Sequence, residues 1–251
     1  MQASADNSSP RKGAVREILD VVVPALVIAL TFQTLLFQPF RIPSESMKPT
    51  LLVGDYLFVS KFSYGYSRYS IPLSLPLFSG RVLATAPARG DIAVFRLPAA
   101  DSEDYIKRVV GLPGDRIEMR GGVLHINGEA VKRERIEDYV DREQDVPVRI
   151  ERWRETLPNG VSYVTLNLIE NGPLDDTPVY HVPAGHYFMM GDNRDDSTDS
   201  RVLTQVGYVP FDNLVGRAEV IFFSVRGGAG AWQFWLWPWT VRWHRLFQPV
   251  R

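Results

Sequence analysis

The longest apolar stretch of the chain lies close to its N-terminus. Between Asp20 and Arg41, twenty residues carry no formal charge: VVVPALVIALTFQTLLFQPF. At about 1.5 Å per residue, a helix of this length spans roughly 30 Å, the thickness of the hydrocarbon core of a bilayer. The pattern predicts a transmembrane helix over residues 21–40, after an N-terminal segment at 1–20. A buried core helix and a cleaved export signal are the alternatives, but no A-x-A-like cleavage site follows the run.

After residue 41 the pattern changes to short apolar segments that are rich in β-branched and aromatic residues. Glycine, proline, asparagine or aspartate bounds these segments, which is typical of strands. They predict strands at 55–62, 91–97, 105–111, 123–128, 161–168, 186–192 and 218–225. Around 66–90 and 129–180 proline, serine or charged residues dilute the pattern, so we interpret both stretches as additions to a smaller core. The expected fold class is mainly β, with one N-terminal transmembrane helix.

The charge balance and the absence of cysteine narrow the function classes. The chain has 251 residues, with 28 Lys+Arg against 29 Asp+Glu and a formal net charge of −1. This balance argues against a nucleic-acid-binding protein, which usually carries a basic excess. With no cysteine, a disulfide scaffold, a thiol nucleophile and a cysteine-ligated metal site are excluded.

Two serines directly beyond the apolar run are the first candidates for chemistry. Segment 43–50 contains Ser44 and Ser46 between two prolines. Such a segment usually forms only a surface turn, but this one lies a few residues past the predicted membrane helix. A nucleophilic serine also needs a base, and none of the four histidines has a recognisable triad context.

Lys107 is a candidate for that base. Strand alternation places it on the face of Tyr105 and Val109, with Arg108 on the opposite face. Burial there would lower the pKa of the amine from about 10.4 toward neutrality and make it a usable general base. A solvent-exposed strand lysine is the ordinary alternative.

The acidic segment GDNRDDSTDSR at 191–201 is the third candidate. Its carboxylates suggest calcium, but an EF-hand loop needs glycine at its sixth position and glutamate at its twelfth, and neither is present. We therefore expect no metal site and no cofactor. A hydrogen-bonded, solvated loop is the alternative.

Together these segments resemble the type I signal peptidases, which are bacterial membrane-bound serine proteases with a Ser–Lys dyad. The family pattern P-S-x-S-M-x-P-T-L matches 43–51, R-G-D-I-x-V-F matches 89–95, and Y-I-K-R-x-x-G-x-P-G-D matches 105–115. G-D-N-R-x-x-S-x-D-S-R matches 191–201, and F-V-S-K-F occurs at 58–62. The motifs follow family order after one anchor and cover about residues 40–225.

The resemblance implies a role for each matching residue. It makes Ser46 the nucleophile and Lys107 the general base, without a metal. Ser44 would stabilise the oxyanion, and Ser197 would orient the amine of the lysine. Asp199 and Arg201 would form a supporting ion pair. The expected walls of a shallow apolar substrate pocket are Ile42, Pro43, Met47, Leu51, Tyr105 and Ile106.

The family fold implied by the resemblance is an antiparallel β core that carries the dyad, with a second β subdomain inserted. The core would comprise about 41–62, 88–114 and 187–251, and the insert about 63–87 and 115–186. The loop at 202–206 departs from the family because it is three residues longer than usual. Its geometry is not predicted.

The resemblance also implies a location and partners. The enzyme would cross the bacterial inner (plasma) membrane once, with 1–20 in the cytoplasm and 41–251 on the periplasmic side. Its substrates would be exported preproteins, cut after a small residue in an Ala-x-Ala-like context close to the export translocon. No nucleic acid is expected as a partner.

Three other functions stay open at this point. A soluble self-cleaving Ser–Lys repressor would have no reason for a membrane span, and an inactive membrane-anchored module would have no reason to keep the dyad. A peptidase dedicated to one pilus or conjugation precursor shares the motifs.

The C-terminal region carries one further signal. Five of the six tryptophans lie within 232–243, and tryptophan favours the headgroup zone of a bilayer. This pattern predicts a second lipid contact, to which the positive charges of Arg242, His244 and Arg245 would add. A strand or turn packed in the core is the alternative.

Overall fold

A long apolar helix begins the described part of the chain. The computed structural model describes residues 13–71, 74, 78–100, 102–141, 147–226 and 232–251. Helix α1 covers Ala14–Leu35. Its segment Arg16–Leu35 is long and apolar enough to cross a membrane, and the rest of the chain buries none of it. Residues 1–12 of the predicted N-terminal segment lie outside the described residues.

The helix ends before the apolar run does, which corrects the predicted bounds of 21–40. Strand β1 occupies Phe37–Arg41 instead. Pro39 explains the difference, because a proline disfavours the helical conformation in the residue before it. β1 lies at the edge of its sheet, where the missing proline N–H is tolerated.

Strands make up most of the remaining regular structure. In chain order they are β2 (Asp55–Ser60), β3 (Ile92–Arg96), β4 (Asp104–Gly111), β5 (Arg116–Arg120), β6 (Val123–Ile126), β7 (Glu129–Ala130), β8 (Lys132–Asp141), β9 (Val148–Thr156), β10 (Ser162–Asn167), β11 (Tyr180–His181), β12 (His186–Met190), β13 (Val209–Pro210), β14 (Leu214–Ser224) and β15 (Gln248–Pro249). A four-residue helix, α2, covers Trp237–Thr240.

Within the described ranges these strands form three sheets, and the pairings between named strands are antiparallel. The largest has the order β1-β2-β14-β3-β4-β12-β13, with β15 beside β14. A second has the order β10-β9-β8, and a third the order β11-β5-β6-β7. β4 lies inside the large sheet between β3 and β12, so both of its backbone edges are paired.

Two buried apolar clusters fix the segments that matter for function. One joins Met47 and Leu51, from the loop after β1, to residues of β2, β3 and β14. The other joins Val110 at the end of β4 to Phe188 of β12 and to residues of β5 and β6. Apolar burial therefore holds the loop after β1 against the large sheet, on the side of β4.

The predicted mainly β fold with one N-terminal apolar helix is confirmed. The seven predicted strands correspond to β2, β3, β4, β6, β10, β12 and β14, with ends that differ by a few residues. The prediction missed the remaining strands, of which β8 and β9 are the longest; their sequences KRERIEDYVD and VRIERWRET are largely charged and more exposed than buried. The proposed boundaries between core and insert stay a prediction.

Gly54 provides a test of this packing. It has φ +87°, and a Cβ added there would lie 2.1 Å from the carbonyl oxygen of Val225. Gly160 has nearly the same φ, +85°, and open space around its Cβ position. Gly160→Ala should therefore lower the free energy of unfolding by about 1 kcal/mol, the cost of left-handed backbone.

Gly54→Ala should lower it by a further ~2 kcal/mol or more, because the backbone at Val225, just after β14, has to move. Urea denaturation of the full chain in detergent micelles measures both variants. Equal losses for the two variants would contradict the close approach of Gly54 to Val225.

Candidate active site

The loop between β1 and β2 presents Ser46 from a fixed backbone. Its two ends are tied together by hydrogen bonds between the Ile42 N–H and the Asp55 carbonyl, 2.8 Å, and between the Gly54 N–H and the Ile42 carbonyl, 2.9 Å. Within the loop, the Leu51 N–H donates to the Met47 carbonyl at 2.9 Å. Met47 and Leu51 are fully buried, and their packing in the core holds the neighbouring Ser46 in place. Ser46 itself is only 7% exposed.

Lys107 points at that serine from the middle of the large sheet. Its Nζ lies 2.7 Å from the Ser46 Oγ and 3.1 Å from the Ile106 carbonyl oxygen. The side chain is 4% exposed. Burial lowers the pKa of Lys107 to about 8, although the carboxylates of Asp199, Asp192 and Asp196 act in the opposite direction.

The acidic segment 191–201 closes the site on the third side. The Asn193 N–H donates to the Ser46 carbonyl at 3.1 Å. Asp199 accepts from the Gly191 N–H at 3.0 Å and from the Arg201 guanidinium at 2.9 Å. Burial acts against the charge on Asp199, but Arg201 and these hydrogen bonds hold its pKa below the ordinary value. The segment is thus a buried scaffold, rather than a solvated loop.

Two further serines, Ser197 and Ser44, lie near Ser46 and Lys107, and their hydrogen bonding differs. The Ser197 hydroxyl is buried beside Asp199, and the structure shows no hydrogen bond from it to Lys107. Its orienting role stays a prediction. The Ser44 Oγ lies 3.4 Å from the Ser46 Oγ, and the Ser46 N–H is unpaired among the described residues. Both donors are therefore available beside the nucleophile.

A cleft of about 500 Å³ opens above the dyad. The predicted pocket residues Pro43, Tyr105 and Ile106 line it, together with Ser44, Ser46, Glu103, Asp104, Lys107, Asp196 and Thr198. Ile42, Met47 and Leu51 do not line it, because the structure places them in the buried cluster beneath the loop. Sequence reasoning did not identify the three acidic lining residues, which are Glu103, Asp104 and Asp196.

This geometry suits nucleophilic catalysis. A hydroxyl and an amine share a short hydrogen bond, and burial brings the pKa of the amine to about 8, so that a large fraction is neutral near this pH. An adjacent base of lowered pKa is what a serine needs to become a nucleophile. Two hydrogen-bond donors beside it suit a developing oxyanion.

Comparisons with known proteins agree with this chemistry. The family model "Signal peptidase, peptidase S26" matches residues 15–223. This chain belongs to that family.

Individual relatives give the same result. Signal peptidase I of Rickettsia typhi is 42% identical over 229 residues, which cover 88% of this chain and 84% of the relative. Signal peptidase I of Rickettsia massiliae is 42% identical over 234 residues, covering 90% and 86%. A crystal structure of a signal peptidase I from Enterococcus faecalis V583 is 28% identical and covers 53% of this chain and 97% of its own, but its TM-score of 0.31 carries no argument about the fold.

The resemblance inferred from the motifs is thereby confirmed. The chain is a signal peptidase, a hydrolase of the serine peptidase class, and signal peptidases act on exported preproteins that carry signal peptides.

The loop at 202–206, which is longer than the family pattern, folds as a tight turn. Its Val202 carbonyl accepts from the N–H groups of Gln205, Val206 and Gly207, and Val206 packs in a buried cluster.

Sequence reasoning missed a buried ion pair behind the Ser46–Lys107 pair of this signal peptidase. Arg108, the neighbour of Lys107, donates to both carboxylate oxygens of Asp192 at 2.8 and 2.7 Å. Both side chains are fully buried, and Thr50 donates to the same carboxylate at 2.5 Å. The loop that contains Thr50, strand β4 and the acidic segment 191–201 therefore meet at Asp192. Strand alternation places Arg108 on the face of β4 opposite Lys107, and this was the one sequence feature that could have indicated the ion pair.

The C-terminal tryptophans divide into two groups. Trp232, Trp235, Trp239 and Trp243 are each more than half exposed, whereas Trp237 packs on Phe223, with ring centroids 4.9 Å apart. Arg242 and Arg245 turn inward: Arg242 donates to the Val225 carbonyl at 2.8 Å and Arg245 to Asp55. The expectation that these two arginines attract lipid is therefore wrong, because their charges are buried in the fold.

Gly191 tests the site geometry. A Cβ added there would lie 2.2 Å from the Ser197 Oγ and 2.6 Å from the Ser46 carbonyl oxygen. Gly191→Ala should therefore displace the nucleophile and lower kcat/KM for signal-peptide removal by about 100-fold, since a displacement near 1 Å has an effect of that order.

Gly128→Ala is the control, because nothing lies within 4 Å of its added Cβ. It should keep the wild-type rate. A Gly191→Ala enzyme with wild-type kcat/KM would show that the three segments are less tightly packed than described.

Proposed function

We propose that this chain removes signal peptides through an acyl-enzyme formed on Ser46, with Lys107 as the general base. The observation that carries the proposal is the 2.7 Å hydrogen bond between Lys107 Nζ and Ser46 Oγ, in a site where burial lowers the pKa of the amine to about 8. An amine that is neutral near this pH accepts the serine proton as the hydroxyl attacks.

The reaction then follows from the positions of these groups. Ser46 Oγ attacks the scissile carbonyl carbon, and its proton passes to Lys107. The oxyanion receives hydrogen bonds from the Ser46 N–H and the Ser44 hydroxyl. Lys107 next protonates the leaving amine, which frees the mature protein. The lysine, neutral again, activates a water molecule that hydrolyses the ester.

The cleft supports cleavage after small residues. Its volume is about 500 Å³, and Pro43, Tyr105 and Ile106 supply its apolar surface. A space of this size, shared among several residues of an extended peptide, favours small side chains next to the scissile bond. We infer an Ala-x-Ala-like preference, which is also what the family resemblance implies.

We further propose a single span with the N-terminus in the cytoplasm. Only four residues separate the end of β1 from Ser46, and β1 follows α1 after one residue. The dyad is therefore tied to one surface of the membrane. A signal peptide is cut on the outer side, near the translocon, so 41–251 belongs on the periplasmic side.

The exposed tryptophans support a second contact with the lipid surface. Their rings are apolar and their N–H groups are polar, which suits the headgroup zone. Such a contact would keep the cleft at the depth where a cleavage site emerges from the membrane. A soluble self-cleaving repressor would need neither α1 nor this surface, and an inactive module would not need the dyad.

The dyad is tested by Ser46→Ala and Lys107→Ala. Both should lose cleavage of a preprotein by at least about 10⁴-fold, because each removes one half of a unit that acts together. Both should stay folded, since neither leaves a large cavity. Gel assays of preprotein cleavage and circular dichroism measure the two effects.

His125→Ala is a suitable control, since His125 lies on β6, away from the cleft, and its ring Nδ1 lies 3.0 Å from the Val123 carbonyl of the same strand. It should process the preprotein at the wild-type rate. Normal cleavage by either dyad variant would refute the mechanism, while leaving membership of the family untouched.

The lipid contact is tested by tryptophan fluorescence of the full chain reconstituted in vesicles. Brominated lipids should quench the emission, and replacing Trp235 and Trp239 by Phe should remove a large part of that quenching. Trp237→Phe should remove much less, because Trp237 packs on the sheet. If the emission of all these variants is quenched equally, the exposed tryptophans face water and not lipid.

A further inference from the structure

Lys48 is a buried cation two residues after the nucleophile. Its Nζ lies 2.8 Å from the Asp141 Oδ2 and 3.0 Å from the Glu45 Oε1. The side chain of Lys48 is 1% exposed and that of Asp141 is 2% exposed. We call these three residues the Lys48 bridge. The family motif leaves position 48 open, so the bridge is not part of the common signature.

The bridge encloses Ser46 within its loop. Glu45 precedes the serine and Lys48 follows it by two residues, and the Lys48 N–H donates to the Glu45 carbonyl at 2.9 Å. Lys48 is therefore held by Glu45 within the loop and by one carboxylate outside it. That carboxylate belongs to Asp141, the last residue of β8, which is 93 residues away in sequence.

The hairpin of β8 and β9 also holds the third catalytic segment. Arg194 donates to both carboxylate oxygens of Glu155 in β9, at 2.9 and 2.5 Å. β8 and β9 pair from Lys132–Thr156 to Asp141–Val148. One strand of the hairpin thus binds the Ser46 loop, and the other binds the segment that contains Ser197.

Burial opposes the charge on Lys48, but hydrogen bonds to Asp141 and Glu45 outweigh it and raise the pKa of Lys48 above its ordinary value. The lysine accordingly stays protonated where Lys107 does not. Two lysines near one serine thus differ in role because they differ in partners: one is paired with carboxylates that it touches, and the other bonds to a hydroxyl and a carbonyl.

We propose that Lys48 is a positioning residue, which fixes the Ser46 loop against β8 through Glu45 and Asp141 and so keeps the hydroxyl within reach of Lys107. This inference rests on the function proposed above. Lys48 touches no reacting atom. Its effect on turnover passes through the position of Ser46.

A single substitution would not separate positioning from stability. Removing one partner leaves the other charge buried and unpaired, which is strongly destabilising in itself. Replacing both partners by apolar residues of similar size removes the directional bonds without leaving a buried charge. The informative variant is therefore the double substitution Lys48→Met with Asp141→Leu.

The experiment uses the full chain in detergent micelles and a synthetic preprotein peptide. The double variant should keep a thermal midpoint within about 4 °C of wild type, while its kcat falls by at least about 30-fold and its KM changes less than about 2-fold. The acid limb of kcat/KM should move to lower pH, because a displaced Ser46 no longer accepts a hydrogen bond from protonated Lys107.

A matched control removes a different ion pair from the same two strands. Arg154 of β9 and Glu134 of β8 are 3.7 Å apart and at least half exposed. The double substitution Arg154→Gln with Glu134→Gln should leave kcat, KM and the pH profile unchanged. Lys48→Arg, which keeps the charge, should retain more of kcat than the apolar double variant.

A wild-type kcat in the double variant overturns the proposal, and so does a loss that is uniform at every pH. If the double variant does not fold, Glu45→Gln decides, because Glu45 is 41% exposed and its loss does not expose a core. A fall in kcat at unchanged thermal midpoint then supports the bridge, and an unchanged kcat overturns it. Failure of the wild-type chain to cleave the peptide would instead refute the proposed function.

Discussion

The proposed mechanism depends on a neutral amine at Lys107, inside a protein that surrounds this lysine with carboxylates. Burial in the large sheet lowers the pKa of the amine, and Asp199, Asp192 and Asp196 raise it. Burial prevails, and the pKa settles at about 8. Two of these carboxylates are themselves paired, Asp199 with Arg201 and Asp192 with Arg108. A fully exposed strand lysine at the same position would stay charged and would be no base.

The same constraint explains why so many ions are buried around one serine. A buried charge is tolerated only when it is paired and hydrogen-bonded, and three of the pairs here join segments that are distant in sequence. Arg108 and Asp192 join β4 to the acidic segment, Arg194 and Glu155 join that segment to β9, and Lys48 and Asp141 join the nucleophile loop to β8. Such pairs contribute little net stability, but they are directional. They suit a site in which three separate segments have to meet within a few tenths of an ångström.

The pattern of neighbouring residues was enough to predict those parts of the site that lie within one strand or one loop. Strand alternation separated Lys107 from Arg108, and the motif around Ser46 pointed to a loop just beyond the apolar run. Pairings between distant segments were out of reach, because nothing in KRERIEDYVD marks Asp141 as the partner of Lys48. The pocket walls were only half predicted, since the loop turns Ile42, Met47 and Leu51 into the core and leaves Pro43 at the cleft. β8 and β9 were missed because their charged, exposed faces carry no apolar alternation.

The most direct test of the central claim is the titration of the Lys107 amine itself. Nuclear magnetic resonance of the full chain with isotopically labelled lysine follows this amine, and the signal is assigned by its absence in Lys107→Met. The account predicts a pKa of about 8 in the wild-type chain. A value at or above the roughly 10.4 of free lysine would contradict it, because Lys107 would then be charged under working conditions and unable to accept the proton of Ser46.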